Sequence, residues 1–106
     1  MAPPVDPAGE RTRPVVPVEV EVTAYDPVLG VGTWWEEDTA LRAEVWDSPE
    51  KTVVISGNPA GLVSLARHLL TLAQESVPDG RHLDFDTYCG WLEKGSTAIR
   101  VEVDKR

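Results

Sequence analysis

Cysteine occurs once in this chain, lysine three times, and phenylalanine and methionine once each. With Cys89 alone, no internal disulfide and no paired-cysteine metal site can form. No stretch approaches the run of about eighteen apolar residues that a membrane span needs. The opening Met1-Ala2-Pro3-Pro4 lacks the basic and apolar regions of a signal peptide, so the expected location is cytoplasmic. Clustered Lys and Arg are missing as well, which argues against direct binding of DNA, RNA or anionic lipid. No Gly-x-x-x-x-Gly-Lys or Gly-x-Gly-x-x-Gly pattern opens a helix, so no phosphate cradle is expected.

What the chain does have is acid, and it is confined. Residues 15 to 50 hold nine acids (Glu19, Glu21, Asp26, Glu36, Glu37, Asp38, Glu44, Asp47, Glu50) against the single base Arg42. Residues 51 to 106 hold seven acids and seven bases, and the first fourteen residues two of each, so the net charge of −8 sits in that one segment. It also carries three of the four tryptophans, Trp34, Trp35 and Trp46. Carboxylates steer encounters with basic partners and desolvated indole supplies affinity, so this composition suits a protein-binding surface. Its competing explanation is a solvated strand face that keeps a small protein soluble, with the indoles in the core.

A chain of 106 residues makes one domain with a core of modest depth. Residues 1 to 14 contain four prolines and few apolar side chains, and are expected to be a disordered tail ahead of a single α+β domain over 15 to 106. Strict alternation predicts a first strand with Val16, Val18, Val20 and Val22 on one face. An irregular segment follows through Asp38. Leu41, Ala43 and Val45 alternate with Arg42, Glu44 and Trp46 in a second strand, and Lys51 to Ser56 forms a third. Asn58 as N-cap, Pro59 at the first helical position, and Leu62, Leu65, Ala66, Leu69, Leu72 and Ala73 at helical spacing predict an amphipathic helix of about seventeen residues. Its polar face carries Arg67, His68, Thr71, Gln74 and Glu75, with His68 facing solvent. Strands around Leu83 and Phe85 and around Ile99, Val101 and Val103 close the chain. The expected fold is a two-layer α+β domain of order β-β-β-α-β-β, a mainly antiparallel sheet of about five strands covered on one face by the helix.

Catalytic and metal constellations are weak. His82, Asp84 and Asp86 share one strand face, but neighbours at i and i+2 stand roughly 7 Å apart, too far to share one cation without a bulge. Arg100 on the next strand is the expected mate for one of these acids. Cys89 with either histidine lacks an orienting third group. No enzyme, cofactor or metal is therefore expected. The candidate partner-binding residues are Trp34, Trp35, Glu36, Glu37, Asp38, Glu44 and Trp46, the last placed by register on the outward strand face.

Ile55-Ser56-Gly57-Asn58 leading into Leu62-x-x-Leu65-Ala66-x-x-Leu69, His82-Leu83-Asp84, and Tyr88-Cys89-Gly90-Trp91-Leu92-Glu93-Lys94-Gly95-Ser96 together resemble the Immunity protein 32 family. The likeness covers about half the chain, from the third strand to the end, and Trp-Leu-Glu-x-Gly-Ser is its most specific part. The resemblance implies a small α+β domain from a bacterial polymorphic toxin system that binds and neutralises a cognate protein toxin. It assigns no role to the acidic segment. Charge favours a basic toxin; the alternative is a regulatory or accessory module with a different protein partner. The sequence leaves the oligomeric state open.

Overall fold

A computed structural model describes residues 13–106. The Pro-rich tail expected over residues 1–14 lies almost wholly outside the described residues. The elements are β1 (Leu41–Trp46), β2 (Thr52–Gly57), α1 (Pro59–Leu72), β3 (His82–Phe85) and β4 (Ile99–Glu102). β1 and β2 form one antiparallel pair, β3 and β4 another. In the first pair, Leu41, Ala43 and Val45 stand opposite Gly57, Ile55 and Val53 on one face, while Arg42, Glu44 and Trp46 share the other with Ser56, Val54 and Thr52. In the second, Leu83 opposes Val101 and Phe85 opposes Ile99. The inner faces meet in one core of Leu41, Ala43, Phe85 and Leu92, against which Trp35, Leu65, Leu83, Trp91, Ile99 and Val101 pack.

The Trp-Leu-Glu-Lys-Gly-Ser run has a structural task. Glu93 N–H donates to the Leu41 carbonyl and Thr97 N–H to that of Ala43, each at 2.8 Å, while Ser96 Oγ accepts from Ala43 N–H at 3.2 Å. These bonds occupy the edge of β1 away from β2, so the loop links the two hairpins and satisfies a strand that would otherwise be unpaired. Gly90 and Gly95, both at positive φ, let the loop turn at either end.

Asn58 is the N-cap that the sequence predicts, with Pro59 beside it. Its Oδ1 accepts from Gly61 N–H at 2.7 Å and from Ala40 N–H at 3.0 Å, and its Nδ2 donates to the Asp38 carbonyl at 2.7 Å. One side chain thus starts the helix and pins residues 38–40 to it. Gly61 is needed there because a Cβ would collide with the Ala40 carbonyl oxygen.

Three expectations are corrected. The fold is α+β with one helix and antiparallel strands, but among the described residues there are four strands in two small sheets, in the order β-β-α-β-β, in place of five strands in one sheet. The missing strand is that expected over residues 16–22, which form no strand and pair with none among the described residues. Second, α1 is 14 residues long, capped at Ala73 well before Pro78. Third, the helix is turned about its axis. Its buried positions are Gly61, Ser64, Arg67, His68, Thr71 and Leu72, whereas Leu62, Val63, Leu69 and Leu70 remain 41–49% exposed. His68, expected in solvent, is fully buried.

The physical reason lies in residues 20–39, hereafter the arm. Its backbone joins no sheet, yet its N–H and C=O groups still require partners. The polar stripe of the helix provides them. Ser64 Oγ accepts from Glu36 N–H at 2.9 Å, and His68 Nε2 accepts from Trp34 N–H at 3.1 Å. Arg67 Nε donates to the Glu21 carbonyl at 3.0 Å and Nη1 to that of Trp34 at 3.4 Å. Gln74 accepts from Tyr25 N–H and donates to the Thr23 carbonyl. Side-chain hydrogen bonds to backbone do here what a strand ladder would have done.

Candidate functional site

The expected binding residues fall into three places. Trp34 and Trp35 are neighbours in an extended segment, so their side chains leave on opposite sides. Trp35 turns inward: its ring centroid lies 4.3 Å from that of His68, 4.8 Å from Trp91 and 5.5 Å from Phe85. Its Nε1 is buried with no hydrogen-bond partner. Trp34 turns outward, 43% exposed, and the Arg67 guanidinium carbon lies 4.1 Å from its ring centroid.

Glu36, Glu37 and Asp38 wall a groove of about 320 Å³ whose other side is Pro59, Ala60 and Val63 at the start of α1. Glu36 is paired with the nearly buried Arg67 at 3.2 Å. Among the described residues, Glu37 and Asp38 have no cationic partner, so the groove keeps negative charge beside apolar surface. Val63, Pro59 and Ala60 escape a sequence reading because it placed the acids in an unattached loop.

Glu44 and Trp46 stand elsewhere. Both are on the outer face of β1 as register predicted, and Trp46 is 54% exposed. Five residues of extended strand, roughly 17 Å, separate Trp46 from the Leu41 end where the groove lies. Arg42 on the same face is tied to Glu93 at 3.3 Å. A partner would have to span the length of β1 to touch Trp34 and Trp46 together.

Arg67, His68 and Ser64, which fasten the arm, were missed as anchors. A signal existed. A solvated helix face is usually Lys and Glu, whereas this one is Ser64, Arg67, His68, Thr71 and Gln74, residues chosen to give and accept hydrogen bonds.

The remaining candidates resolve as structural groups. Asp84 accepts from Arg100 Nε at 2.8 Å, the pairing expected, and His82 Nε2 lies 3.6 Å from Asp84 Oδ2. The Arg100 hydrogen bond holds the Asp84 carboxyl below the usual carboxylate range. Asp86 Oδ1 accepts from Cys89 N–H at 3.0 Å, which lowers Asp86, and the same carboxylate raises the Cys89 thiol, making it a poorer nucleophile. Among the described residues no three His, Cys, Asp or Glu side chains stand together in a metal-holding group, and no helix is long and apolar enough to cross a membrane.

No curated protein and no solved structure matches the chain. The family model described as Immunity protein 32 matches residues 52–104, from β2 through α1, β3 and the closing loop to just beyond β4. The match takes in the cap, the helix with its polar stripe, the loop that links the hairpins, and the Asp84–Arg100 pair; spanning half of the 106 residues, it means that the chain belongs to the Immunity protein 32 family.

Proposed function

We propose that the chain is a cytoplasmic immunity protein that binds and neutralises a cognate bacterial toxin stoichiometrically, without turnover or cofactor, through its acidic, tryptophan-bearing surface. Trp34, Glu36, Glu37 and Asp38 form the centre of that surface, Trp35 anchors it from the core, and Glu44 and Trp46 extend it along β1. The observation that carries this reading is the groove, where Glu37 and Asp38, without a cationic partner among the described residues, adjoin the apolar Pro59, Ala60 and Val63. A lysine or arginine stem would lie on the apolar side while its cation met the carboxylates. A basic toxin fits this chemistry, because carboxylates can occupy the positions that phosphates take in such a site.

The test is growth of a bacterial host expressing the toxin encoded beside this gene, with and without this chain. Rescue that depends on the chain is expected, and an active toxin that it fails to counter would sink the pairing. Glu37→Gln with Asp38→Asn should slow association about tenfold at low salt and flatten its salt dependence, read by stopped-flow or surface binding kinetics. Unchanged association would move the interface off the groove.

A second reading has one observation in its favour. The outer edge of β2 pairs with no strand among the described residues, and Val53 on that strand is 68% exposed. A regulatory module that accepts a strand from a different protein would use such an edge. Proline at Val53, whose N–H points away from β1, would separate the two readings if the toxin complex tolerates it.

A further inference from the structure

His68 is fully buried, yet both of its ring nitrogens meet backbone groups, and those groups dictate its protonation state. Nδ1 lies 2.6 Å from the Ser64 carbonyl oxygen, which can only accept, so Nδ1 carries hydrogen. Nε2 lies 3.1 Å from Trp34 N–H, which can only donate, so Nε2 presents its lone pair. Only the neutral Nδ1–H tautomer satisfies both. A proton on Nε2 would set two N–H groups against each other and orphan the Trp34 donor. We propose that His68 is a pH-sensitive latch: its neutral tautomer clips the Trp34 backbone to α1, and protonation at Nε2 releases residues 33–36 while both hairpins stay folded.

The surroundings favour the neutral form. Burial is the main influence holding His68 below the ordinary imidazole value; the Arg67 cation next to it on α1 acts in the same direction, and the Ser64 carbonyl opposes both. From the arm, the nearest charge is Glu36, already committed to Arg67. β3 and the closing loop present the rings of Phe85 and Trp91. The indole of Trp35, 4.3 Å away, would attract an imidazolium and offset part of the penalty, but among the described residues no free carboxylate faces the ring.

Release is local because nothing else that holds residues 33–36 is a ladder. Glu36 N–H bonds to Ser64, the Trp34 carbonyl and the Glu36 carboxylate bond to Arg67, and the Trp35 ring packs against His68, Phe85 and Trp91. The hairpins have their own pairing and the closing loop. The latch stands without the toxin-binding reading, and its test contains no toxin.

The experiment is NMR on the ¹⁵N-labelled full chain between pH 7.5 and 4.5. At neutral pH the Nδ1 shift should be that of a protonated ring nitrogen and Nε2 that of an unprotonated one. Below about pH 6.5 the hydrogen-exchange protection factor of the Trp34 amide should fall by up to about tenfold per pH unit, then level off once closed-state His68 titrates. The Arg42 and Glu44 amides, which face β2 in the first hairpin, should keep theirs. His68→Gln, which offers an acceptor that does not titrate, should remove the pH dependence and retain protection; His68→Phe should leave Trp34 unprotected throughout. Protonated Nε2 at neutral pH, flat Trp34 protection in the wild type, the same pH dependence in His68→Gln, or parallel loss at Arg42 and Glu44 would each overturn the latch.

Discussion

The two halves of this molecule are built by different means. Residues 51–106 are charge-neutral, contain three of the four strands and the helix, and account for the family match. Residues 15–50 carry the whole net charge, contribute only β1 to the regular structure, and otherwise run as a chain fastened to α1 by side chains. The hairpins satisfy their backbones by strand pairing, β1 reaching across to β2 and to the closing loop; the arm instead borrows its partners from side chains of α1 and from Gln74. The acids and Trp34 therefore ride on a segment whose position is set by Ser64, Arg67, His68 and Gln74 of the other half. A shared scaffold can in this way present a surface that the scaffold's own sequence does not encode.

The severest way to break this division is to remove the floor on which both halves rest. Phe85 is fully buried and its ring meets those of Trp35, His68 and Trp91. Phe85→Ala should cost about 3–4 kcal/mol in urea unfolding, with arm and hairpins melting together. A loss below about 1 kcal/mol would mean that the aromatic cluster is not a shared core. Arg67→Met is the more selective cut. It keeps the aliphatic stem but leaves the Glu21 and Trp34 carbonyls and the Glu36 carboxylate without their donor. The expected cost is about 2–3 kcal/mol, with hydrogen exchange rising first between residues 21 and 36 and last in β3 and β4. Simultaneous loss of protection in the arm and in the hairpins would erase the distinction between a ladder-paired scaffold and an arm held by side chains.

These differences also explain what could be read from the sequence. Asn58-Pro59 names the helix start because a cap and a residue without an N–H are each suited to that position whatever surrounds them. β1, β3 and β4 follow from alternation, the Asp84–Arg100 pair from register, and the outward Trp46 from its place opposite Val45. Val16–Val22 alternates equally well yet has no strand to pair with, since alternation describes a strand's faces and says nothing of its edges. The helix was misread for a related reason. Leu62 and Leu69 mark an apolar stripe, but the neighbour that decides burial is a backbone, and a backbone selects Ser64, Arg67 and His68 over leucine. The acids of the groove were legible as composition, whereas their apolar counterpart, 21 or more residues away at Pro59, Ala60 and Val63, depends on Asn58 pinning Asp38 to the helix.

The smallest expected effect separates the halves by pH. Folded His68 has a lowered pKa, so between that value and about 6.5 the unfolded chain binds the extra proton, and stability falls as pH falls through this window. Asp84 and Asp86 also have lowered pKa values, but as carboxylates they contribute stability that is complete above about pH 4 and is lost only as pH drops further, through their folded values. The stability curve should therefore descend in two limbs, an upper one belonging to the arm's attachment and a lower one belonging to β3 and the turn after it. Asp84→Asn should reduce the lower limb alone, and modestly, because the Asp84–Arg100 pair is solvent-exposed and screened. Urea midpoints at pH 7, 5 and 3 read this directly: the ion pair is formed at pH 7 and 5 and weakens towards pH 3, so the substitution should lower the first two midpoints equally and the third less, shrinking the drop from pH 5 to 3 and leaving the drop from pH 7 to 5 unchanged. A changed drop between pH 7 and pH 5 would show that the exposed ion pair of β3 and β4 and the buried imidazole of α1 are coupled, and that the arm's attachment is not held independently of the second hairpin.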